Sequence, residues 1–429
     1  MTTEHVSRTA PTSDSYGSRD TQSTVLVAVH TITSLARLLT IVTFLERDER
    51  IEVLFTRVPD ELGAGVDEAL AQMGAKVVPW EEATRLSADL VVAAALHRIE
   101  DLPARRRMAV GHGAAFIKQY PAATRRGFAT YGLEEGSLVH EGEVVVDALV
   151  LSHTDQLARL QQQCPQAAPN AVEGGDPAYD VLLASASQRE VFRRDLRVRS
   201  GQTLVVLSST WGPHSLFGGG CAPLRRIVED LPADHRVVLT LHPAIWAHHG
   251  ERAVLSWLHD ALAAGMDVED PRSEWAGLLI AADVVLGDPG SIALYAAAIG
   301  KPVLLTSDGQ HRVDPESVMS ELAGIGPLWR PDLPLGPQFD AARDVQREQE
   351  AVARQRVSSV PGKSVAILQQ TAYQLLELPE PTSTPKPEPC GPPGLVDVFD
   401  PRNRFLHGSP RQCTAGARGA GLRKLGGRR

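Results

Sequence analysis

Apolar residues in this chain come in short unbroken runs, and each run is followed by a stretch where they recur every three or four positions. Val25-Leu-Val-Ala-Val29 is such a run, and His30 closes it. Leu35, Leu38, Leu39, Val42 and Leu45 then recur at helical spacing over 34–46. The same reading gives strand 51–55, helix 67–73 and strands 76–79, 88–94 and 107–110, the last ended by Gly111-His112-Gly113. Strand 148–151 and a helix from about Thr154 complete this half. Parallel strands covered on both faces read as continuous Val/Ile/Leu runs. Regular strand–helix alternation therefore predicts an α/β, doubly wound parallel sheet.

The rhythm restarts after Gly174-Gly175-Asp176-Pro177. It predicts helix 179–194, strand 203–208, a glycine-rich loop at 211–220, helix 224–231 and strand 236–241 running into His242-Pro243. A short strand 266–268, helix 275–281, strand 283–286, helix 292–299 and strand 302–306 follow. A late helix over 364–376 carries Val365, Leu368, Ala372 and Leu375 on one stripe. The expected organisation is a disordered segment 1–22, a Rossmann-like domain 23–172, a second Rossmann-like domain 173–377, and a linker and tail over 378–429. Seven prolines in 379–393 predict an extended linker, and the Gly/Arg-rich composition beyond 399 predicts disorder.

Composition narrows the function. The net charge is −9, but 401–429 holds eight Lys/Arg and no acid, so the body is markedly acidic. That disfavours nucleic-acid binding and broad docking on an anionic membrane. Four cysteines without metal spacing suggest neither a disulfide framework nor a zinc site. The first 23 residues lack the apolar core of a secretion signal, and no apolar run approaches a membrane span. A cytoplasmic protein is the expectation.

Ligands of doubly wound sheets sit at the carboxyl ends of strands. His30, His112, His153 and His242 fall at such ends. Each alone reads more readily as a strand-capping histidine; their recurrence in both halves favours chemistry. The sharpest segment is 282–305, where a strand ends in Gly287-Asp288, Pro289-Gly290 turns, and Ser291 begins a helix of small residues. The free amides and positive end of a helix start favour phosphate. Gly290 would let the backbone approach it and Ser291 would add a hydroxyl, although Asp288 or Ser291 also reads as a simple N-cap. Ser209 and Thr210 would meet phosphate or ribose and Trp211 a base; the 218–220 glycines read equally as a flexible loop. Neither a Walker A sequence nor G-x-G-x-x-G is present, so no dinucleotide cofactor is expected.

The order of these motifs resembles a known pattern. H-G-x-x-x-x-K from His112 to Lys118, G-D-P-x-Y-D from Gly175, S-S-T-W ending at Trp211, L-H-P ending at Pro243 and G-D-x-G-S-x-x-L-Y-x-A-A-x-G-K-P from Gly287 resemble the CDP-glycerol glycerophosphotransferase-like branch of the GT-B superfamily. The chain is similar, more distantly, to non-hydrolysing UDP-N-acetylglucosamine 2-epimerases. The likeness spans about 24–306, with 364–376 as the helix that packs back. Three positions depart from it: Gly111 replaces an aromatic, Gly290 a serine, and Gly212-Pro213 the arginine that tends to follow S/T-W.

The resemblance implies two Rossmann-like domains facing across a cleft. It implies transfer of a glycosyl or alditol-phosphate group from a nucleotide-diphosphate donor, a substrate rather than a cofactor, to a hydroxyl of an unidentified acceptor, without a metal. His112 would be the base and His242 would face the diphosphate. Ser209, Thr210, Trp211, His242, Asp288, Gly290 and Ser291 would line the donor side; His30, Gly113, Lys118, His153 and Asp176 the acceptor side and cleft. Two rival readings stay open: a UDP-sugar 2-epimerase, for which Asp176 and Asp288 are the motif-borne carboxylates, and a non-catalytic nucleotide-sugar-binding protein.

Overall fold

The computed structural model describes residues 20–121 and 128–397. The expectations for residues 1–19 and 398–429 lie outside them. The first run forms β1 (Ser23–Val29), and Thr31 caps α1 (Ile32–Glu46) through a reciprocal pair of bonds with Ser34. Then come β2 (Ile51–Arg57), β3 (Ala88–Ala93), β4 (Ala104–Val110), β5 (Ala148–Leu151), α2 (Asp155–Gln163) and β6 (Ala171–Glu173). The strands make one parallel sheet in the order β6-β5-β4-β3-β1-β2.

The second half starts with α3 (Pro177–Ser185), then β7 (Thr203–Ser209), β8 (His235–Leu241), α4 (Pro243–His249), β9 (Asp267–Val268) and α5 (Trp275–Ala281). It continues with β10 (Val284–Gly287), α6 (Ser291–Ala298) and β11 (Val303–Leu305). Its parallel sheet runs β9-β8-β7-β10-β11. α7 (Gln346–Val357) packs on α6, and α8 (Ser364–Leu376) returns to the first half. There Val365, Leu368, Ala372 and Leu376 share a core with Leu38, Ile41 and Leu45 of α1. The late helix thus belongs to the first sheet's core, although in sequence it follows the second.

Four local expectations are corrected. Residues 76–79 form a single bridge, Phe55 to Val77, instead of a strand, and Val77 is exposed. The sixth strand of the first sheet is β6, which the apolar pattern does not predict. Helix 179–194 breaks at 186–188, which lets Arg189 and Arg193 reach Asp283 and the carbonyls of Ile280, Ala281 and Ala282 at the end of α5. The proline-rich stretch, finally, is no free linker as far as it is described. The Asp270 amide donates to the Gly394 carbonyl (3.0 Å) and Val396 to Val268 (2.9 Å), so the strap covers the short edge strand β9. Cys390 donates to Ser185 Oγ and Gly391 to Glu274, while Pro393 fills the space left by Gly277. Proline keeps the strap extended, and its few remaining amides do the bonding.

Candidate functional site

Each sheet reverses its winding once, between β1 and β3 in the first and between β7 and β10 in the second. Such switch points leave a crevice at the carboxyl ends of the strands. His30 closes β1 beside one; at the other, Ser209 ends β7 with Thr210 after it, and Asp288 follows β10.

On the second half, Asp288 is buried and saturated. It accepts from the Thr210 amide (2.8 Å), the Leu216 amide (2.9 Å), Thr210 Oγ1 and Thr306 Oγ1 (both 3.0 Å), and Ser209 Oγ (3.3 Å). Burial raises its pKa and these bonds oppose the rise. Asp288, Ser209 and Thr210 therefore fold the 209–216 loop onto the strand ends, and Trp211 stands exposed in that loop. Gly290 precedes α6 where a Cβ would come 2.9 Å from Thr210 Cγ2.

His242 caps α4, its Nδ1 accepting from the Ala244 amide (3.1 Å). In the neutral ring the proton then sits on Nε2, 3.4 Å from Thr33 Oγ1 of α1. Burial, then the charge of His112, pushes its pKa down to about 4. His242 is thus neutral at pH 7 and would offer a diphosphate a hydrogen bond without a charge.

On the first half, His112 follows β4 and keeps an exposed face in the cleft. Desolvation lowers its pKa, a ring bond to the Ala94 carbonyl opposes this, and Arg37 and His30 lower it further. Water on the exposed face tempers the shift. His30 is buried, with Nε2 2.6 Å from the His97 carbonyl and Nδ1 without a protein partner.

Residues 113–118 cross to the second half. Ser291 Oγ accepts from the Ala114 amide (3.0 Å), and a Cβ on Gly113 would lie 2.8 Å from that oxygen. Ala115 and Phe116 are both left-handed, at φ 57° and 48°. Arg159 of α2 holds their carbonyls and pairs with Asp314 (3.0 Å). Ile117 enters the second half's core, and Asp314 donates its amide to the Ile117 carbonyl. Lys118 bridges to Val313, and its Nζ donates to the Pro289 carbonyl at 2.6 Å.

Asp176 does double service between the sheets. It caps α3 and pairs with Arg37 of α1 (2.9 Å), while Tyr295 of α6 donates to it (2.8 Å). His153 pairs with Asp155, which Arg356 also holds. Of the sequence-derived residues, the structure joins Gly113 and Lys118 to the 288–291 turn by contact, and His112 adds to the lowering of the His242 pKa. It engages Asp176 in an ion pair with Arg37, and His153 accepts the Asp155 amide at Nδ1. Sequence reasoning missed Arg37, Arg159, Tyr295 and Asp314. Arg37 had a signal, a charge beside the apolar stripe of α1; Tyr295 stood within a quoted motif.

Two Rossmann-like halves with facing switch points are the architecture of the GT-B type. The fold is similar to that of the wall teichoic acid polymerase TagF: TM-score 0.56, 14% identity, over 83% of this chain and 88% of that one. A TagF variant soaked with CDPG gives TM-score 0.57 at 13% identity, over 83% and 89%. HepE of Anabaena in complex with UDP-glucose gives 0.46 at 16% identity, over 83% and 100%. No protein-family model and no curated protein matches the chain. Among the described residues, no group of three or more His, Cys, Asp or Glu is placed to hold a metal, and no helix is long and apolar enough to cross a membrane.

Proposed function

We propose that this chain transfers a glycosyl or alditol-phosphate group from a nucleotide-diphosphate donor to an acceptor hydroxyl. The observation that carries the reading is the seating of residues 113–118, which follow His112, on the 288–291 turn of the other half through the Ala114–Ser291 and Lys118–Pro289 bonds. His112, neutral at pH 7, takes the acceptor proton as the acceptor oxygen bonds to the transferred group. The bond from that group to the nucleotide phosphate oxygen breaks, and the nucleotide leaves with the electron pair. Ser291 accepts from Ala114, so its own hydrogen remains to donate to the phosphate, as does Nε2–H of His242.

The TagF variant soaked with CDPG makes that compound the first donor to try. Calorimetry with CDP-, UDP- and GDP-linked donors tests the reading, and binding of none would remove it. Donor transfer or hydrolysis by His112→Ala tests the base; wild-type turnover in that variant would take the role from His112.

A further inference from the structure

A short antiparallel pair of strands, Gln119–Pro121 and Phe128–Thr130, follows the segment that crosses between the halves. Its base is held firmly. The Tyr131 amide donates to the Lys118 carbonyl (3.0 Å), and the Thr130 hydroxyl donates to Asp314, the partner of Arg159. The Phe116 ring lies between Gly111 and Gly132, where an added Cβ would come 3.2 and 3.1 Å from it. Phe116 thereby packs on the backbone just before His112 and just after Tyr131.

This packing leaves an aromatic surface beside the proposed base. The Tyr131 ring makes a T-shaped contact with His112, centroids 6.1 Å apart, and Tyr120 stands 5.3 Å from Tyr131. Tyr120 is 39% and Tyr131 41% exposed, and His112 is exposed as well. Adjoining large rings left open to water next to a reactive group mark a binding surface rather than a piece of core. A tyrosine offers an apolar face and a polar edge. Burial, with Tyr120, Glu134 and Asp60 adding to it, raises the Tyr131 pKa to about 12, so its hydroxyl keeps the proton.

The charges around the pair are negative. Glu134 accepts the Gly132 amide (2.7 Å) and the Ser137 hydroxyl. The loop bearing Asp60 continues β2 along the end of β1, where the Val58 amide donates to the Val29 carbonyl (2.9 Å), and the Asp60 charge acts on His30, His112 and Tyr131. Arg37, the cation that acts on His112, is paired with Asp176. An anionic acceptor would be repelled here. A pyranose, by contrast, presents a face of C–H bonds that an aromatic ring can cover while its hydroxyls stay free at the rim. An open-chain polyol has no such face.

We propose that Tyr131 and Tyr120 form the stacking face for an uncharged saccharide acceptor, one hydroxyl of which is held at His112, an assignment that rests on the transferase reading above. The proton of that hydroxyl passes to His112, and its oxygen bonds to the transferred group as the nucleotide leaves. Tyr131 is the specificity-determining residue of this face, because it touches the base itself.

The test is a saturation-transfer NMR titration of the full chain with the methyl glycosides of glucose, galactose, mannose and N-acetylglucosamine, and with glycerol 3-phosphate. Wild type, Tyr131→Ala, Tyr131→Phe and Tyr120→Ala are compared. At least one glycoside should bind, with saturation strongest on its ring C–H protons. Its affinity should fall about tenfold in Tyr131→Ala, the scale of a lost aromatic contact, and less in Tyr120→Ala. Tyr131→Phe keeps the ring and should hold the affinity. Glycerol 3-phosphate should not compete. Equal glycoside affinity in wild type and both alanine variants overturns the stacking face, as does preference for glycerol 3-phosphate or failure of every glycoside to bind with or without CDP. In each of these cases donor binding by calorimetry leaves the transferase reading standing. Glycoside binding with the expected dependences, but no donor binding, keeps the stacking face and removes the transferase reading. Should Tyr131→Ala not fold, unchanged glycoside affinity in Tyr120→Ala overturns the proposal by itself.

Discussion

The Ser291 hydroxyl, at the start of α6, accepts the Ala114 amide of the other half across 3.0 Å. That bond places residues following the first His-Gly pair directly on the turn expected to meet phosphate. Ile117 then packs in the second half's core, and Arg159 and Asp314 close over the crossing. The cleft is therefore joined along one side by buried polar bonds. Lys118 of the first half thus lies against the 288–291 turn of the second.

Gly113 and Ser291 should be energetically coupled. A Cβ at Gly113 would lie 2.8 Å from Ser291 Oγ, so Gly113→Ala must push the hydroxyl off the Ala114 amide. Losing one such bond costs about 1 kcal/mol, and more where the amide is left buried. In a Ser291→Gly background the clash has no partner. Urea unfolding of both singles and the double should give a double mutant more stable than the sum of the singles. Strict additivity would show that the contact is not made.

The strap offers a prediction that changes sign with context. Gly277 lies within α5, where alanine is favoured over glycine by about 1 kcal/mol. In the whole protein its Cβ would come 2.8 Å from Pro393 Cδ and 3.2 Å from the Gly391 carbonyl. Overpacking of that kind costs about 1–3 kcal/mol. Gly277→Ala should therefore lower the thermal midpoint of the full chain and raise that of a chain ending at Leu378. A rise in both would mean that the strap does not rest on α5.

How much of this was readable beforehand depends on the range of the interaction. His112, His242 and Ser291 were legible because strand ends follow from local periodicity, and chemistry in these folds gathers at strand ends. Asp288 was legible as a position, but its saturation by Thr210, Leu216 and Thr306 was not. Arg37–Asp176, Arg159–Asp314 and Lys118–Pro289 pair residues more than a hundred positions apart, and such pairs leave no periodic trace. The strap was read as a linker because prolines dominate its composition. Its anchoring amides and the buried Cys390 are visible only once β9 and α5 are in place.

Glu269, just beyond β9 and bridged to Leu395 of the strap, should make stability depend on pH. Burial raises its pKa to about 8, the Thr240 hydroxyl opposes this, Asp270 adds to it and Ser273 opposes it. One carboxyl oxygen has no partner. The unfolded chain would titrate this group near the ordinary 4.5. The folded state thus holds the proton more tightly. Its contribution is fully present below 4.5 and is lost as pH rises to about 8. Glu269→Gln should match wild type below about pH 4.5 and exceed it by up to about 4 kcal/mol at pH 8, since each tenfold gain in proton affinity on folding is worth about 1.4 kcal/mol. Denaturant melts across that range that show no widening gap would mean that the carboxyl is solvated.

The pH dependence of turnover should report the proposed base. His112 must be neutral to take the acceptor proton, and burial lowers its pKa from 6.5, with Arg37 and His30 lowering it further. The acid limb of kcat/KM in the free enzyme should therefore fall below pH 6.5, not at it. A general base of this kind is worth about 10²–10⁴-fold, so His112→Ala should lose that much and flatten the limb. Rate profiles for wild type and His112→Ala from about pH 5 to 8 would decide it. An acid limb at or above 6.5 would place the base on a group other than His112.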